Sequence, residues 1–235
     1  TYGVPWEWTQ AGVRRYGLHG ASHRYIAVRS AELLRRNDLR VISCHVGGSS
    51  SICAIENGRS VANSFATSAQ SGLPHNNRVG DFDAYALLKV LPKFGLTMEQ
   101  AFQKMAKEGG LLGISGVSND HRDVEQAAAT GNPRAQLALD VLVESVRHYV
   151  GAYLAVLNGA DLIVFTGGIG ENSADFRRQV CGRFDYAGVK LDPDKNNVRG
   201  KETTISAEDS KVRIMIVPAN EELIVARQTK EVLRK

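Results

Sequence analysis

Residues 39–64, LRVISCHVGGSSSICAIENGRSVANS, constrain the fold more than any other stretch. Three β-type runs, residues 41–46, 51–56 and 59–63, follow one another with little chain between them. Asn57-Gly58 is the dipeptide best suited to a two-residue hairpin turn, where both central positions need positive φ. Gly47, Gly48, Ser49 and Ser50 make the other connection. Strands joined this tightly pair antiparallel, because a parallel return needs a crossover of a dozen or more residues. The stretch therefore predicts a three-stranded β-meander.

Around the meander the period changes. Ser22 reads as the N-cap of a helix over residues 23–36, with Ile26, Leu33 and Leu34 on its apolar side. Residues 65–80 read as loop, followed by helices at about 83–92 and 97–108, the second opened by the capping box Thr97–Gln100. GGLLGISGVSND reads as a glycine-punctuated loop, followed by helices at 121–129 and 133–158. The longer one carries an apolar stripe of Leu142, Val146, Tyr149, Val150, Tyr153 and Leu157. A strand at 162–165, a glycine turn, a helix at 173–183, a strand at 212–217 and a last helix from Glu221 complete the pattern. Strands first, then strands alternating with helices, predict a layered α/β fold.

Composition excludes several classes. Hydrophobic residues make up 43% and charged residues 23% of the 235 positions, and no apolar run has the length of a membrane span. The net charge of +4 comes from 29 basic residues dispersed among 25 acidic ones. There is no basic stripe with interleaved aromatics, so neither nucleic acid nor a membrane is an expected partner. Cys44, Cys53 and Cys181 show no zinc or redox spacing, and Cys44 and Cys53 read as buried thiols, which suits the cytoplasm.

Five stretches could carry chemistry. RRYGLHGASHRY places His19 and His23 on one helix face, as a metal clip, as bystanders or as part of a phosphate site. The turn at Gly47–Ser50 could cradle phosphate oxygens or be a tight hairpin without side chains; His45 before it suits a core histidine as well. Arg78, in a Gly/Asn-rich loop, suits phosphoryl charge or plain solvent. In FTGGIGENS a strand enters Gly167, Gly168 and Gly170 and then a helix, a form that admits an anion or nucleotide. Glu221 sits where strand ends carry sites in α/β sheets, or balances a helix dipole.

RRYGLHGASHRY, CHVGGSSSICAIENGRSVANS, NRVGDFD, GISGVSNDHRDVEQA, FTGGIGENS, LDPDKNNVRGKE and PANEEL, in this order and spacing, resemble the acetate kinase (acetate/propionate kinase) family from about Tyr2 onward. The resemblance implies an α/β fold of the ribonuclease H-like (actin-like ATPase) kind, with a mixed β-sheet flanked by helices. It implies reversible transfer of the γ-phosphoryl of ATP to acetate or propionate, giving ADP and an acyl phosphate, with Mg²⁺ and as a homodimer. Residue by residue, it makes His19 the histidine at the transferring phosphoryl group and Arg78 the arginine on the substrate. Nucleotide contacts fall to His45, Gly47, Gly48 and Ser49, to Asp120, His121 and Arg122, and to Gly168, Ile169, Gly170, Glu171 and Asn172. Glu221 becomes the glutamate that supports Mg²⁺. A carboxylate nucleophile is already ionised at neutral pH, so the chemistry needs charge cancellation rather than a base.

The chain departs from the family pattern at three places. HVGGSSS stands for the usual HLGNGAS, so Gly48 replaces an asparagine. Ala69 stands for the proline that lines the acyl pocket, and Leu18 for an aromatic residue before His19. Smaller walls at Leu18 and Ala69 imply a larger pocket, for propionate or another short acid. A butyrate kinase-like enzyme and a non-catalytic nucleotide-binding module of the actin-like superfamily are the alternatives. On the same resemblance, residues 1–220 correspond to the second, nucleotide-binding domain of a two-domain acyl kinase. Residues 221–235 correspond to a C-terminal helix that packs toward the first domain. The first domain supplies further catalytic groups, so the 235-residue piece is expected to be inactive alone.

Overall fold

The protein is described over residues 1–234 by a computed structural model. In chain order the elements are α1 (Trp6–Gln10), α2 (Gly20–Leu34), β1 (Arg40–His45), β2 (Ser51–Glu56) and β3 (Arg59–Asn63). Then come α3 (Leu87–Phe94), α4 (Met98–Lys107), α5 (Gly110–Ser115), α6 (His121–Ala129) and α7 (Pro133–Val156). β4 (Leu162–Thr166), α8 (Gly167–Asn172), α9 (Ala174–Cys181), α10 (Pro193–Asn196), β5 (Thr203–Thr204), β6 (Arg213–Ile216) and α11 (Glu221–Val232) follow. The described residues form two compact units, one of residues 1–16 and 65–145, the other of residues 17–64 and 146–234.

The second unit holds one six-stranded sheet in the order β3-β2-β1-β4-β6-β5. β1, β2 and β3 are the expected antiparallel meander, whose register shifts between Ala54 and Ile55. β4 pairs parallel to β1, and β6 parallel to β4. Three antiparallel strands followed by the parallel β4 and β6, with β5 antiparallel at the edge and helices on the faces, make the mixed α/β sheet of the ribonuclease H-like kind. Alternation sorts the strands into two apolar faces. Val41, Cys53, Ile55, Leu162, Val164 and Met215 pack with Ile26 and Ala27 of α2. The other face is also buried, and there Phe165 meets Phe176 of α9 edge-on, ring centroids 6.3 Å apart. β1 and β4 are thus covered on both sides, which explains their nearly unbroken apolar runs. α11 packs against α2, burying Ile224, with Arg227 3.5 Å from Glu32.

In the first unit, Thr97 and Gln100 form the reciprocal capping box that starts α4. α6 begins at His121 as expected, with Asp120 as its N-cap. Two local expectations fail. Gly110–Ser115 is a short helix rather than a loop. In the other unit Ser22 is not an N-cap, because His19, with φ 56°, caps α2 and the helix already runs at Gly20. Cys44 and Cys53 are free and buried, as expected, and so is Cys181. No described helix is long and apolar enough to cross a membrane.

Candidate functional site

Within the second unit, the start of α2 and the adjoining ends of β1 and β2 bring three imidazoles together. The His19 and His45 rings stack at a tilt of 31°, centroids 4.2 Å apart. His19 Nδ1 lies 2.8 Å from Ser51 Oγ, and the same oxygen lies 2.8 Å from His23 Nε2. His23 Nδ1 lies 2.8 Å from Ser43 Oγ, and His45 Nδ1 lies 2.7 Å from Ser22 Oγ. His23 is buried at the base of this cluster, while His19 and His45 are partly open. Burial, followed by the nearness of His45 and His19, pushes the His23 pKa down to about 3. Burial lowers that of His45 as well, against an opposing pull from the Glu221 and Glu171 carboxylates.

Both His23 nitrogens are engaged by hydroxyls, which removes the metal-clip reading of His19 and His23. No group of three or more His, Cys, Asp or Glu side chains among the described residues could hold a metal ion. Leu18 is 37% exposed, and its carbonyl accepts from Asn63 Nδ2 at 3.1 Å. Gly17, with φ 73°, lies so close to Asn63 that a Cβ would stand 3.0 Å from that side chain.

Two glycine turns meet at the same end of the sheet. The Val46 carbonyl accepts from Ile169 and Gly170 N–H at 2.9 and 3.0 Å. Gly167 N–H donates to Glu171 Oε1 at 2.8 Å, and the same oxygen accepts from Ala219 N–H at 2.9 Å. Glu171 thereby ties the β4–α8 turn to the segment before α11. Three amides of the expected anion cradle, those of residues 167, 169 and 170, are spent inside the protein. Gly168 and Asn172 remain exposed on the outer side, joined by a 2.9 Å bond from Asn172 Nδ2 to the Gly168 carbonyl. In the other turn, Gly47 N–H donates to Ser50 Oγ, which donates back to the Gly47 carbonyl. Gly48 is exposed and Ser49 partly so. Glu221, half-buried, is the first residue of α11, behind the N-cap Asn220.

Arg177 had no signal in the sequence, yet it supports this end of the sheet. It is fully buried and gives Nη1 to the Gly170 carbonyl at 2.9 Å. Its Nε reaches Asn196 Oδ1 at 2.8 Å, and Nη2 reaches the Asn196 and Val198 carbonyls at 2.8 and 2.9 Å. No carboxylate takes part in these bonds, and burial pushes its pKa down to about 10. Ser22, Ser43 and Ser51 were also missed, because a serine's partners across a sheet leave no local pattern.

The first unit carries the remaining candidates. Arg78 is half-buried and gives Nη1 to the Ala69 carbonyl at 2.8 Å, so the two residues assigned to the substrate touch each other. Its loop is pinned on α5, with Leu111 and Leu112 N–H donating to the carbonyls of His75 and Asn76. Asp120 accepts from Arg122 N–H at 2.9 Å and from its guanidinium at 2.6 Å, which holds the Asp120 pKa down to about 2. His121 is buried, its Nδ1 3.5 Å from Glu125.

Comparison with known proteins assigns the chain. The acetate kinase of Natranaerobius thermophilus is 46% identical over 237 aligned residues, which take in all of this chain and 60% of that protein. The crystal structure of Porphyromonas gingivalis acetate kinase superposes with a TM-score of 0.96 at 39% identity, over 99% of this chain and 59% of that one. A propionate kinase from Francisella tularensis subsp. tularensis superposes with a TM-score of 0.91 at 35% identity, over 97% and 58%. The chain spans about 60% of the length of the curated relatives it matches. With a family match that runs from residue 1 to residue 227, the chain belongs to the Acetokinase family.

Proposed function

We propose that the full-length protein transfers the γ-phosphoryl group of ATP to acetate or propionate, reversibly, forming an acyl phosphate and ADP. A carboxylate oxygen bonds to the γ-phosphorus as the bond from that phosphorus to the β–γ bridging oxygen breaks. The observation that carries this reading is the partly open His19 ring, stacked on His45 at the sheet end where the two glycine turns meet. An imidazole N–H there donates to oxygens of a phosphoryl group. Arg78 offsets the charge of the carboxylate, and Gly168, Asn172, Asp120, His121 and Arg122 meet the nucleotide.

Glu221 suits Mg²⁺ by its chemistry: a hard carboxylate oxygen, with no second protein ligand set around it among the described residues. Mg²⁺ characteristically takes one or two carboxylates and completes its shell with water and substrate phosphates. When bound, the ion neutralises charge on the β- and γ-phosphates. The reading places the protein in the cytoplasm as a homodimer.

The test is acyl phosphate formation by the full-length protein on acetate, propionate and butyrate, trapped as the hydroxamate. His19→Ala and Arg78→Ala should each lower kcat/KM by roughly 100-fold or more, the scale of losing one charge-stabilising donor. Wild-type rates in both variants would overturn the site assignment. A preference for butyrate would overturn the substrate class.

A further inference from the structure

The hydrogen bonds beneath His19 form a chain with one direction. Ser43 is fully buried in β1, and its hydroxyl has a single hydrogen-bond contact among the described residues, His23 Nδ1. A buried hydroxyl proton without an acceptor is costly, so Ser43 donates and His23 Nδ1 accepts. His23 is neutral and has one N–H to give, which must then sit on Nε2. That N–H donates to Ser51 Oγ, also fully buried. The Ser51 proton has one acceptor left, His19 Nδ1. The same reasoning runs separately through Ser22, fully buried, to Nδ1 of His45.

We infer that Ser43, His23 and Ser51 are positioning residues that order the protons of the site, fixing His19 in the tautomer that carries its hydrogen on Nε2. This rests on the proposed role of His19 at the phosphoryl group. A ring locked by an acceptor Nδ1 offers Nε2–H as a donor, the form that anionic phosphoryl oxygens take up. The opposite tautomer would offer them a lone pair. Burial works in the same direction: His23, pushed down to about 3, is uncharged near neutral pH and cannot act there as a double donor that reverses the chain. The partner on one ring nitrogen sets the state of the other, and Ser51 passes that setting across the 32 residues that separate it from His19.

The experiment is long-range ¹H–¹⁵N correlation on the full-length protein labelled with ¹⁵N-histidine. The His19 and His45 signals are assigned by their loss in His19→Gln and His45→Gln. The wild type should show His19 with a protonated Nε2 and a bare Nδ1. Ser51→Ala should convert His19 to a tautomer mixture, leave His45 unchanged, and lower kcat by roughly 10- to 100-fold, the usual scale for losing an orienting partner. KM for the nucleotide should hold, and Ser51→Thr, which restores a hydroxyl on a strand, should recover most of the rate. A wild-type spectrum with the hydrogen on Nδ1 overturns the inference, whatever the variants do. So does a Ser51→Ala protein with unchanged His19 signals or an unchanged kcat. If the proton order is as drawn but His19→Ala keeps the wild-type rate, the proposed role of His19 at the phosphoryl group fails and the proton order stands.

Discussion

Gly167 lies against the backbone of Val46: a Cβ at Gly167 would stand 2.8 Å from the Val46 carbonyl oxygen and 3.1 Å from its carbonyl carbon. That carbonyl already accepts from Ile169 and Gly170, so the end of β1 and the start of α8 are locked at the distance only a glycine permits. Gly167 also sits at φ 78°, where a side chain strains the backbone.

Gly167→Ala should therefore combine strain with displacement of Val46, lowering stability by roughly 2 kcal/mol or about 4–8 °C in Tm for a domain of this size. Gly131→Ala is the control. Gly131 has φ 91° but nothing within 4 Å of a built Cβ, so it suffers strain alone and should lose about 1 kcal/mol. Equal Tm losses in the two variants, by thermal unfolding, would mean that the close approach to Val46 carries no cost.

A second prediction concerns Arg177. Its guanidinium serves four acceptors from one buried position, and the Gly170 carbonyl is one of them. Lysine has neither the fork nor the reach to serve all four. Arg177→Lys and Arg177→Met should both destabilise by roughly 3 kcal/mol or more, through acceptors left unpaired in the interior. Urea unfolding measures this, and a loss below about 1 kcal/mol in Arg177→Met would show that the carbonyls find other donors.

Sequence reasoning reached those parts of this chain whose causes are local. The meander was legible because Asn57-Gly58 and the Gly47–Ser50 turn leave no other pairing. The capping box at Thr97 acts within one turn. It failed where a distant segment decides. Gly110 looked like punctuation, but a Cβ there would stand 2.0 Å from the His75 carbonyl; the glycine permits a close approach and the helix forms anyway. Ser22 looked like a cap, whereas its hydroxyl is claimed by His45, 23 positions on. β5 has two residues, too few for any period to appear. The glycines at Gly167–Gly170 read as an open turn, yet they begin α8, and Val46 and Glu171 take three of their amides.

The third prediction follows from His23, whose folded pKa of about 3 lies below the ordinary 6.5. Above pH 6.5 the ring is neutral in both folded and unfolded chains, and its contribution to stability is fully present. Between 6.5 and about 3 the unfolded chain binds a proton that the folded one refuses, so stability falls as pH falls, by up to roughly 1.4 kcal/mol per pH unit. His45, lowered by burial, acts in the same sense. Carboxylates held below their usual range, Asp120, Glu32 and Glu202 among them, lose their contribution only at lower pH, as they protonate. The interval from about pH 6.5 to about pH 5 therefore isolates the imidazoles. His23→Gln should be less stable than the wild type near pH 8, having lost the ring that joins Ser43 to Ser51. Its stability should then change more gently with acid, having lost the His23 share of the slope. Urea midpoints at several pH values measure both slopes. If they are parallel across this interval, His23 is not the buried neutral base beneath His19.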